Sequence, residues 1–482
     1  MDRSVMFFMI WLFLLFLSFL QVTLIGTVIL LENKAPGETI GWLCILGFLP
    51  VLGFIIYVIF GRRTHGHLFD DKHIPNNRLA KTVRQQTERL PHDMFPQETD
   101  RNHKLMSLLL KSGFAPITLH NQVEVLLNGG EKFQALFNAL EGASHHIHLS
   151  YFIFNDDEIG GDVLKILARK VAEGVEVRVL VDGLGSHAIS GGFIRSMRQA
   201  GIQAEWFFPI RFPYITSRLN LRYHRKIVVV DGHTGFIGGL NIGDEYLSRD
   251  PELGFWRDTH FKIEGEAVHI LQAIFLNDWY YVTRQAVQEV RYFPKTPITQ
   301  VLPLQIVGGG PDSNWTSILQ GFFNAITMAK HSVSIETPYF IPDESLIMAL
   351  KTAALSGIEV RLIVQGFPEH KVTYLAMHSY FEELLQAGVK IYKYMKGTLH
   401  AKILFIDHHL ASVGSANIDL RSLFLDFEIC AFVYDQVLVE RLQVDFDQDL
   451  QESIEIVLLT FQARPSYIRL LESCARLFSP LL

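Results

Sequence analysis

The sequence predicts a duplicated α/β fold carried behind an N-terminal two-helix transmembrane hairpin. Three observations predict it: two long charge-free stretches at the start of the chain, apolar β-branched runs alternating with helical spacing, and short motifs that recur in one order in both halves of the remainder. The 482 residues amount to about three domains' worth of chain. Hydrophobic residues make up 49%, charged residues 19%, and mean hydropathy is +0.20, so part of the chain belongs in lipid. The first 63 residues carry +1 of a net −7, leaving −8 on the rest, which excludes a nucleic-acid binder working through a basic surface. Cys44, Cys430 and Cys474 are too few and too scattered for a disulfide framework or a four-ligand zinc site, and they predict a reducing compartment.

Residues 1–63 read as the hairpin. Ser4–Leu31 and Thr39–Phe60 hold no charge and run 28 and 22 residues, each above the ~20 needed to cross, with spans expected at about 6–31 and 39–60. Glu32–Glu38, containing Pro36-Gly37, is a tight connection. A secretory signal would need a shorter apolar core and a cleavage site, and no second span would follow at once. Arg62 and Arg63 outweigh Lys34, which stands between glutamates. The positive-inside bias therefore places both chain ends in the cytoplasm, with the catalytic domains on that side of a multi-pass cell-membrane protein.

Residues 64–111 read as a polar tether ending in a helix. Beyond it Gly174-Val-Glu-Val-Arg-Val-Leu-Val matches Gly357-Ile-Glu-Val-Arg-Leu-Ile-Val, and Gln199-Ala-Gly-Ile matches Gln386-Ala-Gly-Val. Runs such as Val175–Val181 alternate with helical stretches such as Gly161–Glu173, the pattern of βαβ units on a buried sheet. A Pro- and Thr-rich break at Phe293–Pro303 divides a first domain at 112–292 from a second at 304–482.

The repeat carries the chemistry. His224-Arg-Lys226 with Asp231, and His400-Ala-Lys402 with Asp407, both read H-x-K-x4-D and lie 176 residues apart. At the same offset Gly238-Gly239-Leu-Asn241 matches Gly414-Ser415-Ala-Asn417. In an extended strand each His shares a face with its Lys, while the Asp has the opposite parity and fits the strand end, bonding backbone or neighbours there. Asp258 and Glu428, in the next strand of each half, suit the orienting of the imidazoles better. Two histidines are what a double displacement at phosphorus needs. One imidazole attacks to give a phosphohistidine, and the other protonates the leaving alcohol and deprotonates the incoming one. Lys226, Lys402, Asn241 and Asn417, with Gly239 and Ser415 beside them, are the candidates to hold the phosphoryl oxygens, and no metal is required.

These motifs resemble the phospholipase D superfamily over nearly all of 112–482. The two spans ahead of them, Pro50-Val-Leu-Gly53, Ile242-Gly-Asp-Glu-Tyr246, Glu336-Thr-Pro-Tyr-Phe340 and the C-terminal Ser-Pro-Leu-Leu are similar to the bacterial cardiolipin synthase family. The resemblance implies two tandem phospholipase-D-like α/β domains and the catalytic set His224, Lys226, Asp231, His400, Lys402 and Asp407. It also implies transfer of a phosphatidyl group from one phosphatidylglycerol to another at the bilayer, with release of glycerol and without a cofactor. The family favours the first-half histidine as nucleophile, whereas spacing leaves His224 and His400 equivalent. The same motifs serve a phospholipase D hydrolase or a transferase to another alcohol. A membrane scaffold on a dead enzyme fold is disfavoured because both His/Lys pairs are intact.

His145, His146 and His148, and Asp407-His408-His409, lack acidic or thiol partners at ligand spacing and read as structural. Gly308-Gly-Gly-Pro lacks the lysine of a nucleotide loop. Trp206–Ile215 is either an acyl-chain or bilayer contact or ordinary core, and Ser466–Phe478 is either a membrane-lying or a domain-packing helix.

Overall fold

The computed structural model describes residues 3–32, 34, 36–61, 102–186, 191–209, 220–287, 289–313 and 315–482. They fall into two compact units, one built on the N-terminal helices and the other on the repeated halves.

In the first unit a helix runs Arg3–Leu31, and Ser4–Leu31 within it is long and apolar enough to cross a membrane. The second stretch is met as two pieces, Pro36–Phe48 and Pro50–Ile56, the latter continued by a π turn at Tyr57–Gly61. Leu49 is forced out of helical geometry (φ −132°, ψ 68°) by the proline that follows it. The chain folds back there, bringing Trp42 to Tyr57 at 5.2 Å and the Lys34 ammonium to the Gly61 carbonyl. The single straight span expected at 39–60 is thus not what the structure holds.

In the second unit the two halves carry seven equivalent strands in the same order, and the second half adds an eighth at its outer edge. From the outer edge inward the first half runs Gln203–Phe207, Glu176–Asp182, His146–Tyr151, Ile227–Val230, Thr234–Gly238, Thr259–Gly265 and Ile117–Leu127. The second runs Ser453–Glu455, Lys390–Tyr394, Glu359–Gln365, Ser332–Thr337, Ile403–Ile406, Leu410–Gly414, Asp426–Val433 and Val301–Gly309. Gln203–Phe207, Glu176–Asp182 and His146–Tyr151 run parallel, as do their counterparts Lys390–Tyr394, Glu359–Gln365 and Ser332–Thr337, and the other neighbours in this order are antiparallel. The innermost strands pair antiparallel, Ile117 opposite Gln305, making one continuous sheet.

Local sequence explains the crossovers. The run Val177–Val181 is buried on both faces, as strands flanked by helices on either side must be. Asp157 caps the Glu158–Ala172 helix through the Gly160 amide, and Asp343 caps Glu344–Leu355 through Ser345 at the matching place. Two apolar cores lie under the helices of one half each, and a third takes residues from both, including Ile227, Phe261, Ile403 and Ile429. The halves are one folding body in consequence. The His103–Ser112 helix buries Leu105, Met106 and Leu109 with Ile318 and Phe322 of the second half, so the end of the expected 64–111 tether belongs to the packed unit.

Candidate active site

Each motif histidine sits where a short strand of its own half crosses onto the other half. Arg222–Tyr223 pairs parallel with Asp426–Phe427, and the His224 amide donates to the Phe427 carbonyl at 2.9 Å. Reciprocally, Gly397–Leu399 pairs with Phe255–Arg257, and the His400 amide donates to the Arg257 carbonyl at 2.7 Å. Next along those partner strands come Glu428 and Asp258. His224 Nδ1 lies 2.7 Å from Glu428 Oε1, and His400 Nδ1 lies 2.7 Å from Asp258 Oδ2. The expected acids are therefore the orienters, and each holds the histidine of the opposite half. A carboxylate accepts from Nδ1, which leaves Nε2 with its lone pair for chemistry.

The two halves finish their carboxylates differently. Ser415 donates to Glu428 Oε2, whereas a Cβ at Gly239 would lie 2.3 Å from Asp258 Oδ1, so only glycine fits there. The Thr259 amide serves that oxygen instead, at 2.7 Å.

His224 and Lys226 are not in one strand, as expected, but in the link between Arg222–Tyr223 and Ile227–Val230; His400 and Lys402 are placed likewise. Each ammonium donates to the carbonyl of its own histidine. Burial, and then the neighbouring lysines, hold the imidazole of His224 well below its ordinary value. His400 is lowered by burial and Lys402, but Asp258 pulls it part of the way back. Burial also lowers Lys226 to about 7 and Lys402 to about 8, and raises Glu428 to about 7. The site is a closely packed set of titratable groups of both signs.

Asp231 and Asp407, implied as catalytic, stand at the far ends of their strands. Asp231 accepts the amides of Ser144, His145 and His146, all at 2.8 Å. Asp407 accepts those of Lys330, His331 and Ser332 at 2.7, 2.7 and 2.8 Å. Both take left-handed backbone (φ 54° and 48°), which aspartate tolerates, and each ties down the start of a neighbouring parallel strand. The Asn241 side-chain amide donates to the Tyr246 hydroxyl at 3.0 Å and its oxygen accepts from the Ile153 amide at 3.2 Å, so it braces a loop. Asn417 is buried and bonded to Asp419, with its Oδ1 unpaired.

Other residues were not legible in the motifs. Phe152 packs on His224 with ring centres 4.9 Å apart, and Trp256 on His400 at 5.1 Å. Ser422 bonds Glu428. Arg225 donates to the Glu428 carbonyl at 3.1 Å and is locked by Asp278, while Arg257 donates to the Asp258 carbonyl at 2.8 Å and is locked by Asp449. The arginines lie next to motif residues in sequence, yet only the fold shows what they hold.

The two clusters set aside in the sequence are elsewhere. His146 and His148 share Gln272, and His148 stacks on Phe275 at 4.7 Å, a buried structural group. Phe207 and Phe208 are buried against Tyr223, Tyr281 and Phe427, so this part of 206–215 is core; residues 210–215 lie outside the described residues.

Comparison with known proteins agrees with this geometry. The family model described as "Cardiolipin synthase, PLD-like domain" matches residues 136–279 and 322–450, and "Phospholipase_D-nuclease N-terminal" matches 19–62. A cardiolipin synthase of Geobacillus thermodenitrificans is 44% identical over 96% of this chain and 92% of its own. One of Listeria innocua is 40% identical over 97% of this chain and 98% of its own. The crystal structure of a phosphatidylserine synthase from Haemophilus influenzae superposes with a TM-score of 0.61 at 17% identity, covering 79% of this chain and all of that one, which shows the shared fold. By sequence, duplicated fold and paired motifs, this chain belongs to the cardiolipin synthase family of phospholipase-D-like phosphatidyltransferases.

Proposed function

We propose that this enzyme transfers a phosphatidyl group from one phosphatidylglycerol to the hydroxyl of another, through a phosphohistidine on His224. The observation that carries the reading is the crossed pair of histidine–carboxylate contacts with two lysines between them. In the first step the Nε2 lone pair of His224 forms a bond to phosphorus, and the bond from phosphorus to the glycerol oxygen breaks. The proton on His400 Nε2 goes to that oxygen, and glycerol leaves. In the second step His400 takes the proton of the incoming hydroxyl, whose oxygen bonds to phosphorus as the bond to His224 breaks. Lys226 and Lys402 offset the charge on the phosphoryl oxygens.

The assignment of roles follows the electrostatics. A nucleophile must be neutral, and after burial the strongest influences on His224 (Lys226, Lys402, His400 and Arg421) all oppose protonation. An acid must hold a proton: burial and Lys402 lower His400 overall, but Asp258 offsets part of that and pairs with the imidazolium, which makes His400 the better of the two for the role. Asp231 and Asp407 act in this scheme as supports of the strands and not as catalytic groups.

Phosphatidylglycerol alone, in bilayers containing the purified enzyme, should give cardiolipin and free glycerol with no nucleotide-activated lipid. Phosphatidic acid as the main product would make the enzyme a hydrolase. A donor with p-nitrophenol in place of glycerol separates the histidines, because that leaving group departs without a proton. His400→Ala should still release a burst of p-nitrophenol, and His224→Ala should release none; the reverse would exchange their roles.

We also propose that the catalytic unit is cytoplasmic, on the strength of Arg62 and Arg63. A reporter fused at Leu482 should then behave as cytoplasmic, and an external one would overturn this. A reporter at the N-terminus counts the crossings: two if it lies on the same side as Leu482, one if it lies opposite.

A further inference from the structure

The C-terminal helix Ser466–Arg476 has two unlike faces. Its inner face is fixed to the fold. Glu472 and Ala475 are buried, Glu472 pairs with Arg464 at 3.2 Å, the Tyr380 hydroxyl donates to Ser479 at 2.9 Å, and the Arg476 guanidinium lies 4.1 Å over the Tyr380 ring. Its outer face is an apolar stripe. Tyr467, Leu470, Leu471, Leu477 and Phe478 are 64, 64, 49, 80 and 53% exposed, at three- and four-residue spacing with Cys474 in the middle. Such a contiguous exposed stripe on a helix that cannot turn inward marks a contact surface.

The stripe is continuous with the catalytic site. The turn Ser479–Leu481 packs on the Leu420–Phe424 helix, and the Leu481 carbonyl accepts from Arg421 at 3.4 Å. Ser422 of that short helix bonds Glu428, which holds His224. Lipid substrate must reach His224 from a bilayer, and the chain carries a helix fit to cross one. A mixed aliphatic and aromatic face, with Arg469 held by Glu382 at its side, is what a helix in the headgroup plane presents.

We propose that the outer face of Ser466–Phe478 is an interfacial membrane-binding surface, seated among the lipid headgroups, which sets the catalytic site beside the bilayer. This rests on the phosphatidyltransferase reading, because only a lipid substrate makes the position useful.

The test uses the full-length Cys44→Ser enzyme in phosphatidylglycerol vesicles. Cys474 is then the one exposed cysteine, Cys430 being buried, and carries an environment-sensitive fluorophore. Lipid with a nitroxide near the headgroup should quench the label, and aqueous iodide should not. Quenching by iodide with no effect of nitroxide overturns the proposal. Protection from both quenchers, or protection lost on dilution to about one chain per vesicle, would reveal a second copy as the occupant and also overturn it. Because quenching is read without turnover, failure to make cardiolipin with quenching intact would count only against the activity. A second variant, Leu470→Ser with Leu477→Ser, should raise the apparent KM for vesicle phosphatidylglycerol about ten-fold, with kcat on dispersed short-chain phosphatidylglycerol unchanged. An unchanged vesicle KM would be decisive against it.

Discussion

Lys226 and Lys402 show what burial does to a pair of ammonium groups. Both ammonium groups lose hydration by burial, and Lys226 is also repelled by Lys402, so each gives up its proton more readily than a free lysine. A phosphate between them reverses this and draws protons in on binding. The sign is therefore fixed: in the free enzyme the binding-competent form is the protonated one, present below about 7 to 8 and lost as pH rises through that range. The His224 imidazole, held well below its ordinary value, stays a free base at those pH values and limits the rate only on the acid side. We expect kcat/KM to fall as pH rises, first as His400, lowered below its ordinary value, gives up the proton the first step needs and then through about 7 to 8 as the lysines give up theirs, with Lys402→Arg moving the second limb upward. A flat profile to pH 10 would contradict the electrostatics described.

At the scale of elements, the x4-D of each motif is a fastening. Asp231 answers three consecutive amides at the start of the His146–Tyr151 strand, where backbone donors have no strand partner. Burial raises its carboxyl, but the three amides outweigh that and leave it lowered. Asp231→Ala should cost about 2–3 kcal/mol of stability, seen as a fall in melting temperature, while the folded fraction keeps its kcat. Loss of kcat at full folding would return the residue to the catalytic set. The spacing of the motif made the place of the Asp at the strand end readable in advance. Which backbone the Asp fastens was not, because Ser144 and Lys330 lie more than seventy residues away from their acceptors. The break at Leu49–Pro50 has another cause. Composition shows that a stretch is apolar enough to enter lipid, while one proline decides whether it continues as a helix.

Across the whole molecule the two halves exchange their catalytic contacts, so the coupling of mutations should follow the exchange. Glu428→Gln should lower kcat/KM by at least ~10²-fold, and combined with His224→Ala it should do no further harm, since both disable one pair. Glu428→Gln showing that non-additivity with His400→Ala instead would mean that each acid serves its own half. The residues of the site were legible as two equivalent sets; the crossing was not, because it depends on Arg222–Tyr223 and Gly397–Leu399 leaving their own halves to pair with the other.

Two identical chains could make the same exchange about a true two-fold axis, and each histidine would then meet an identical acid. Symmetry would oblige the two imidazoles to be interchangeable, with attacker and proton carrier chosen afresh in every cycle. Joining the halves in one polypeptide removes that obligation. Position 239 could become a glycine while 415 kept a hydroxyl, and one acid could be an aspartate facing a glutamate. On the function proposed above, the difference lets one imidazole specialise in bonding to phosphorus and the other in ferrying protons. On that reading the site also has a direction: the glycerol that leaves and the hydroxyl that arrives both use the side of phosphorus opposite His224, where His400 stands.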